Sequence, residues 1–249
     1  MSENPRELDG AVAIVTGSAR NIGRAIALQL ASAGAAVVVT ARSSREAADE
    51  TAGRITASGG RAIVQMADLT RSDQVDGLVA EAVAQFGRLD ILVNNAALRR
   101  NAPLTQISDQ DWREITASIL DAAFYCSRAA VPHLARGGRG AIVNIGGVAG
   151  HAGVGGRLHV VAAKAGIAGL TKGLAAELAE QGIVVNCVSP GYIGTERDHI
   201  PPHFQERPVP LGRPGRPDEI AAMVRYLCGP SARYITGQVV HVNGGWYMP

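Results

Sequence analysis

Hydrophobic residues are grouped in short runs along the chain, separated by longer stretches in which apolar positions recur every three or four residues. The short runs are rich in Val and Ile and do not alternate strictly with polar residues, which is typical of strands buried on both faces. The strands predicted in this way are AVAIVT at 11–16, AAVVVTA at 35–41, RAIVQM at 61–66, DILVNN at 90–95, GAIVNI at 140–145, GIVVNCVS at 182–189 and a last strand near 237–242.

Helical patterns fill the intervals between these strands. They are predicted at 22–33, 44–58, 71–86, 108–136, 157–180 and 217–228. Ser108 stands before acidic first-turn residues, which is typical of a helix N-cap. Because strand and helix alternate at the spacing of right-handed βαβ units, the sequence predicts an α/β fold. We expect a single doubly wound Rossmann-type domain over 1–249, with a parallel sheet and helices on both faces.

The segment 190–217 departs from this pattern. It is rich in Pro, Gly and Arg, has no clear period, and follows the carboxyl end of a strand. Loops this long in compact domains are usually functional, so we interpret it as a lid-like loop, with an irregular connection as the alternative. Its cations would suit an acidic substrate, although solvent-facing side chains are the simpler interpretation; they are Arg197, His199, His203, Arg207 and Arg213.

Composition and charge narrow the class of protein. The formal net charge is +2, from 24 basic and 22 acidic residues, which gives no reason to expect nucleic acid or a membrane surface as partner. Cys126, Cys187 and Cys228 are far apart, which favours reduced thiols over a disulfide framework or a metal site. The N-terminal residues MSENPRELDG do not resemble a signal peptide. We therefore expect a soluble, cytoplasmic protein with no metal.

The turn after the first strand has the features of a dinucleotide site. Thr16-Gly17-Ser18-Ala19-Arg20-Asn21-Ile22-Gly23 joins that strand to the next helix. Glycines let the backbone approach a pyrophosphate, and a helix N-terminus presents N–H groups and partial positive charge to it. An ordinary strand–helix turn is the alternative.

The end of the second strand bears on cofactor choice. In NAD-selective sites an acidic residue at this point binds the adenosine ribose, but here the sequence is Thr40-Ala41-Arg42-Ser43. Arg42 and Arg20 would flank the pocket with two planar cations, which suits a ribose 2′-phosphate. The sequence therefore predicts NADP(H), with NAD(H) as the less favoured cofactor.

The segment TGSARNIG resembles the Thr-Gly-x-x-x-Gly-x-Gly fingerprint of the classical short-chain dehydrogenase/reductase family, and within it the 3-oxoacyl-carrier-protein reductase-like members. Four further segments resemble family motifs in order along the chain: Asp68-Leu69, Asn94-Asn95-Ala96-Ala97, Pro190-Gly191 with Ile193 and Thr195, and Val242-Asn243-Gly244-Gly245. Asn21 and Ala97 replace family glycines, and Asn tolerates positive φ. The resemblance implies these cofactor-binding residues: Gly17, Ser18, Arg20, Asn21, Ile22, Gly23, Arg42, Ser43, Asp68, Leu69, Asn95, Ala96, Lys164, Pro190, Gly191, Ile193 and Thr195.

The chemical half of the family's site is mostly missing. The resemblance implies a proton-donating Tyr, a Lys four residues later, a Ser thirteen residues before the Tyr, and an Asn in the preceding long helix. Lys164 matches the Lys. Val160 stands in place of the Tyr, Gly147 in place of the Ser, and Ile119 in place of the Asn.

Residues near the missing phenol are candidates to replace it as catalytic groups beside Lys164. His151 and His159 can titrate near neutrality, and Arg157 can polarise a carbonyl or hold an anionic substrate. Tyr192 is a weaker candidate. For each of them, a solvated side chain is the alternative.

Two functions remain open at this point. One is an NADP(H)-dependent oxidoreductase with a non-standard active site, acting on a small molecule that the sequence does not identify. The other is a catalytically degenerate cofactor-binding protein, or a non-redox enzyme, on the same fold. The resemblance also implies a homotetramer joined through the predicted helices 108–136 and 157–180 and the C-terminal strand. The second helix carries a face of small residues that permits close approach, formed by Ala162, Ala165, Gly166 and Gly169.

Overall fold

A seven-stranded parallel sheet forms the centre of the molecule. The computed structural model describes residues 6–195, 204–205 and 207–249. The strands are β1 (Val12–Val15), β2 (Ala36–Ala41), β3 (Arg61–Met66), β4 (Ile91–Asn94), β5 (Ala141–Ile145), β6 (Val184–Pro190) and β7 (Val239–Val242). Their order is β3-β2-β1-β4-β5-β6-β7, and all six neighbouring pairs are parallel. The predicted α/β fold with a parallel sheet is confirmed.

The helices lie between consecutive strands. They are α1 (Asn21–Ser32), α2 (Arg45–Ala57), α3 (Ser72–Phe86), α4 (Asp109–Thr116), α5 (Ala122–Leu134), α6 (Ala149–Ala152), α7 (Leu158–Leu178) and α8 (Pro217–Cys228). The Ser108 hydroxyl accepts a hydrogen bond from the Asp111 N–H at 3.0 Å, so the predicted N-cap of α4 is present. Within the described residues, every helix is too short or too polar to cross a membrane.

One predicted helix has an internal irregularity, and a short helix was missed. The pattern at 108–136 predicted one continuous helix, but a π-helical turn at Ala117–Asp121 separates α4 from α5. A π turn inserts one residue and displaces the apolar positions after it by a single position, a change too small for periodicity to reveal. The four-residue α6 lies in a Gly-rich segment whose length is below what periodicity detects.

Alternate residues of the central strands face opposite layers of helices. On β1, Ala13 and Val15 pack in the core layer that contains residues of α1, α2 and α8. Val12 and Ile14 pack in the other layer, with residues of α3, α5 and α7. Because both faces are covered, the strands need apolar residues at successive positions, which explains their unbroken hydrophobic runs.

The two ends of the lid-like segment are joined to each other. Gly194 donates to the Gly215 carbonyl and Gly215 donates to the Tyr192 carbonyl, each at 2.8 Å. Phe204 stacks on Tyr192 at 4.9 Å and contacts Trp246 at 5.2 Å, measured between ring centroids. The C-terminal segment therefore supports part of this loop. Arg197, His199 and His203, named above as its cations, lie outside the described residues.

Candidate active site

A cavity of about 430 Å³ opens at the carboxyl ends of β1 to β4. Ligands of open α/β sheets bind at this edge, where the strand order reverses. The loops that follow the four strands supply nearly all of its walls, joined by Ser118 and Thr195. The lining residues are Gly17, Arg20, Asn21, Ile22, Gly23, Thr40, Ala41, Arg42, Ala67, Asp68, Leu69, Thr70, Asn95, Ala96, Ala97, Leu98, Arg99, Ser118 and Thr195.

The turn before α1 presents backbone to this cavity. Gly17 has φ +62°, and Asn21 has φ 52°, a conformation that Asn adopts more readily than most residues. A Cβ on Gly23 would lie 2.3 Å from the Gly17 carbonyl oxygen and 2.6 Å from Asn95 Nδ2, so only glycine fits there. The tight turn therefore places the N-terminus of α1 against the cavity, as binding of a pyrophosphate requires.

Thr16 fixes the position of this turn relative to the loop after β4. Its hydroxyl oxygen accepts hydrogen bonds from the N–H groups of Asn95 at 2.8 Å and Ala96 at 3.0 Å. Asn95 Nδ2 donates to the carbonyls of Thr16 at 2.9 Å and Gly17 at 3.1 Å. Two walls of the cavity are thus held by four hydrogen bonds that link residues distant in sequence.

Ser18 supports the turn from below and does not line the cavity. It is fully buried, donates to the Val15 carbonyl at 2.7 Å, and accepts from the Thr40 N–H at 2.9 Å. Thr40 Oγ1 in turn accepts from the Gly17 N–H at 3.0 Å. Five other predicted cofactor residues also stand outside the cavity lining: Ser43, Lys164, Pro190, Gly191 and Ile193.

Positive charge is concentrated where β1 and β2 end. Arg20 and Arg42 both line the cavity, and Ala41 at the end of β2 has no carboxylate. Asp68 accepts hydrogen bonds from the Thr70 N–H at 3.0 Å and the Thr70 hydroxyl at 2.7 Å. Burial opposes its ionisation, but these bonds and the charge of Arg42 outweigh burial and lower the pKa of Asp68. The carboxylate is therefore charged and held in place.

The positions predicted for the family's Tyr and Asn are apolar and buried. Val160 is 3% exposed and Ile119 is 2% exposed, and both belong to a cluster with Ile115, Ala163 and Cys187. Ile119 lies on the π turn between α4 and α5. The cluster offers no phenol, hydroxyl or amide at these two positions.

Gly147, at the position of the family's Ser, faces open space. A Cβ built on this residue meets only Lys164 Cγ, at 4.0 Å, which is ordinary van der Waals contact. The site therefore has room for a serine side chain that this sequence does not contain.

Lys164 is buried beside this cluster. Its ammonium donates a hydrogen bond to the Ile145 carbonyl at 2.6 Å. Burial, and secondly the positive charge of Arg99, lower the pKa of Lys164 to about 7. The amine can therefore exist in both protonation states near neutral pH.

The candidates for a replacement proton donor are not brought together. His151 packs edge-on against His241 at 4.7 Å between ring centroids, with Tyr247 at 5.8 Å. His159 is fully buried in the first turn of α7. Arg157 Nη2 donates to Asn101 Oδ1 at 2.7 Å, and Tyr192 borders a separate cavity of about 360 Å³. None of the four candidates lines the larger cavity, as far as the structure describes its walls.

Sequence reasoning missed several cavity residues, among them Leu98, Arg99 and Ser118. Leu98 and Arg99 follow the Asn95-Ala96 segment directly, and Ser118 lies on the π turn opposite. The Leu98 N–H donates to the Ser118 hydroxyl at 3.3 Å, which brings the two segments together. Residues that follow a parallel strand line the ligand site, and this signal identifies Leu98 and Arg99 in the same way as Asn95 and Ala96.

Comparisons with known proteins agree with this geometry. A family model described as enoyl-(acyl carrier protein) reductase matches residues 17–247. The 3-oxoacyl-[acyl-carrier-protein] reductase FabG of Staphylococcus aureus is 42% identical over 240 residues, covering 95% of this chain and 98% of the relative. The 3-oxoacyl-[acyl-carrier-protein] reductase of Synechocystis is 41% identical over 245 residues, covering 97% and 98%.

Solved structures give the same result. A dehydrogenase/reductase from Sinorhizobium meliloti has a TM-score of 0.93 and 37% identity, covering 98% of each chain. A mutant short-chain dehydrogenase/reductase from Serratia marcescens has a TM-score of 0.91 and 37% identity, covering 96% of this chain and 99% of the other. Since the family model and the curated relatives extend over almost the whole sequence, this chain belongs to the short-chain dehydrogenase/reductase family.

Proposed function

We propose that this protein is an NADP(H)-dependent oxidoreductase that acts on a small carbonyl or hydroxyl compound with a non-standard active site. The observation that carries the cofactor assignment is the pair of arginines, Arg20 and Arg42, on a cavity wall where β2 ends without a carboxylate. Two guanidinium groups suit the 2′-phosphate that distinguishes NADP(H) from NAD(H). The relatives named as reductases support the class of reaction.

The residues present fit such a cofactor. A side chain at Gly23 would collide with the Gly17 carbonyl, so glycine there lets the turn close tightly and place the N-terminus of α1 against the cavity, which suits a pyrophosphate. Asp68 and Leu69 would hold the adenine end, and Asn95, Ala96 and Thr195 the nicotinamide end. When bound, the cofactor supplies the hydride, while the protein orients it and excludes water.

The chain's own contribution to proton transfer differs from that of its family. With Val160 and Ile119 in an apolar cluster, the protein holds no phenol there to deliver a proton to the substrate oxygen, and no amide to support a water chain to the Lys. Lys164, whose pKa lies at about 7, is the remaining titratable group of the family's set. A different proton donor, or water, then completes the reaction, and we expect slow reduction of ordinary ketones and thioesters.

The alternative function is a cofactor-binding protein without redox activity. The absence of the three groups that the family uses beside its Lys favours this alternative. Two of them are replaced by the residues Val160 and Ile119 of the apolar cluster. Transfer of isotopically labelled hydride from NADPH to a panel of carbonyl compounds separates the two functions. Binding of NADPH without any transfer would establish the alternative.

Cofactor preference is tested by titrating the protein with NADPH and NADH. We expect NADPH to bind about 10- to 100-fold more tightly, since hydrogen bonds to a charged group contribute about 1.5–3 kcal/mol. Arg42→Asp should erase or reverse this preference. Arg45→Asp is the matched control, because Arg45 is an exposed neighbour paired with Asp49 and stands outside the cavity lining. Equal affinities in the unmodified protein would contradict the proposal.

We also propose that the protein assembles as a homotetramer through α5 and α7. Phe124 on α5 is 43% exposed, with the Arg128 guanidinium 5.2 Å from its ring centroid. Exposed aromatic and Arg side chains are enriched at interfaces. On α7, the small residues Ala165 and Gly169 are also exposed, which permits close approach of a second helix.

A further inference from the structure

Two histidines from distant parts of the chain are in direct contact. His151 lies in α6 and His241 in β7, and their rings meet edge to face with 4.7 Å between centroids. The Tyr247 ring lies 5.8 Å from the His151 ring and 5.0 Å from the His241 ring. The three rings therefore join α6, the edge strand β7 and the C-terminal segment 243–249. We call His151 and His241 the histidine pair.

The histidine pair contains two buried nitrogens without a hydrogen-bond partner among the described residues, His151 Nε2 and His241 Nδ1. A neutral imidazole carries a proton on one nitrogen only, whereas an imidazolium donates from both. Protonation would therefore add a buried charge and a donor without an acceptor, and burial of an unpaired charge is costly. The observed packing favours two neutral rings.

Positive charge on α7 also acts against protonation of the pair. Burial, and secondly the charge of Lys172, lower the pKa of His151. Burial, and secondly His151 itself, lower the pKa of His241. α7 also brings Lys164 close to Gly150, the residue before His151; a Cβ on Gly150 would lie 2.9 Å from Lys164 Cβ. Both lysines of the chain thus lie on the helix that packs against α6.

The other elements around the pair offer little to balance an added charge. On β6, the register partner of His241 is Ser189, which carries a neutral hydroxyl. On the side of the second cavity, which His241 also lines, Arg213 and Glu219 are paired with each other at 2.7 Å. Among the described groups, those around the pair are therefore neutral, positive or already paired.

The C-terminal segment connects the histidine pair to the lid-like segment. Tyr247 follows Trp246, whose ring contacts Phe204 at 5.2 Å between centroids and whose Nε1 donates to the Arg207 carbonyl at 2.8 Å. Val148, directly before α6, packs with Trp246 and Phe204 in one apolar cluster. A displacement of the C-terminal segment from α6 would therefore remove contacts that support the lid-like segment.

We propose that the histidine pair is a pH-sensitive switch that holds the C-terminal segment 243–249 against α6 at neutral pH and releases it, together with the lid-like segment that it supports, in acid. On protonation, two imidazolium ions lie side by side next to Lys172, and the rings separate so that water can hydrate them. Free rings titrate near pH 6.5, and both pKa values are lowered in the closed arrangement, so the released form binds more protons. Release is therefore favoured as pH falls below about 6.5, and the closed arrangement is the stable one above it.

The fluorescence of Trp246 tests this release. The sequence has two tryptophans, and Trp112 is 41% exposed on α4, so Trp112→Phe leaves Trp246 as the single reporter. Trp246 is 4% exposed, and we expect its emission to move to longer wavelength as pH falls below about 6.5, with an unchanged far-ultraviolet circular dichroism spectrum. The change should reverse on return to neutral pH. The measurement needs no cofactor, so its outcome is independent of the proposed function.

Three variants in this background assign the change to the histidine pair. His151→Phe with His241→Phe keeps the ring packing without titratable nitrogens and should abolish the change. Lys172→Met should move it to lower pH, because less repulsion then drives the rings apart. His133→Phe, on α5, is the matched control and should leave the change unaltered.

Three outcomes overturn the proposal. They are no change in the Trp112→Phe protein, a change that survives the double His→Phe substitution, and an unmoved midpoint in Lys172→Met. Because Lys172 is exposed, its variant tests the proposal even if the double variant does not fold.

Discussion

Two of the residues at family positions, Val160 and Ile119, pack into the core, whereas Gly147 leaves a space. This difference is decided by side-chain chemistry, because branched apolar residues contribute to stability by burial while glycine contributes no side chain. Val160 and Ile119 therefore strengthen the apolar cluster, and Gly147 leaves room beside Lys164 Cγ. A substitution at position 119 or 160 therefore disturbs core packing, whereas a side chain added at position 147 enters open space.

Rebuilding the missing groups should raise ketone reduction. Gly147→Ser with Val160→Tyr restores a hydroxyl and a phenol, and general acid catalysis contributes about 10²- to 10⁴-fold. Ile119→Asn should increase the rate further, since such groups act as a unit. The readout is NADPH oxidation with a 3-oxo ester.

The matched control for this rebuilding is Gly147→Ala with Val160→Phe, which has nearly the same volume without the two oxygens. Overpacking at position 160 costs about 1–3 kcal/mol, so the unfolding midpoint of both pairs is measured as well. No gain from a folded Ser–Tyr pair, or an equal gain from the Ala–Phe pair, would refute the assignment of these positions.

Lys164 should make stability depend on pH. Its pKa in the folded protein is lowered from 10.5 to about 7, so between these values the unfolded chain binds more protons than the folded one. The free energy of unfolding should therefore rise as pH increases from about 7 to about 9. Denaturant titrations of the unmodified protein and of Lys164→Met measure this slope. The slope should be smaller in the variant, and identical slopes would show that Lys164 is not the source.

At the scale of elements, the carboxyl ends and the amino ends of the strands have different roles. The carboxyl ends of β1 to β4 carry the cavity, whereas Asp90, just before β4, joins strands at the opposite edge. Asp90 is 1% exposed, accepts from the Val12 N–H at 3.0 Å, and pairs with Arg88 at 2.6 Å and Arg139 at 3.1 Å. Burial opposes its ionisation, but these partners outweigh burial and lower the pKa of Asp90.

Asp90→Asn should destabilise the protein without changing cofactor affinity. The loss should be about 1.5–3 kcal/mol, as for hydrogen bonds to a charged group, because Arg88 and Arg139 are each 41% exposed and water hydrates them when the carboxylate is removed. Urea unfolding measures this loss, and an NADPH titration below the unfolding range measures affinity. Asp73→Asn is the control, since the Arg71–Asp73 pair is exposed. It should leave the urea midpoint nearly unchanged; a similar loss in both variants would contradict the role of Asp90.

At the scale of the whole molecule, the cavity is assembled from residues as distant in sequence as Gly17 and Thr195. The parallel arrangement of strands makes this possible, because every loop at one edge starts from the same end of a strand. The proposed assembly of several copies concerns the outer helices instead. The exposed face of α5 lies on the far side of its own buried residues, which pack in the core layer with α3.

The proposed tetramer predicts a mass four times that of the chain by light scattering at micromolar concentration. Phe124→Asp should shift the protein to a smaller species, because a carboxylate without a partner is costly at an interface. Leu104→Asp is the control, since Leu104 is exposed but lies outside α5 and α7. A monomer in the unmodified protein would overturn the proposal.

The sequence by itself determined the strands, most of the helices and their order along the chain, because apolar periodicity and turn residues act over a few positions of the chain. It also identified the Gly-rich turn, Arg20 and Arg42, since these follow strands directly. Only the tertiary structure decided which side chains meet. It brought Arg99 and Ser118 into one cavity and buried His159, because these depend on helix phase, on a π turn and on contacts between segments far apart in sequence.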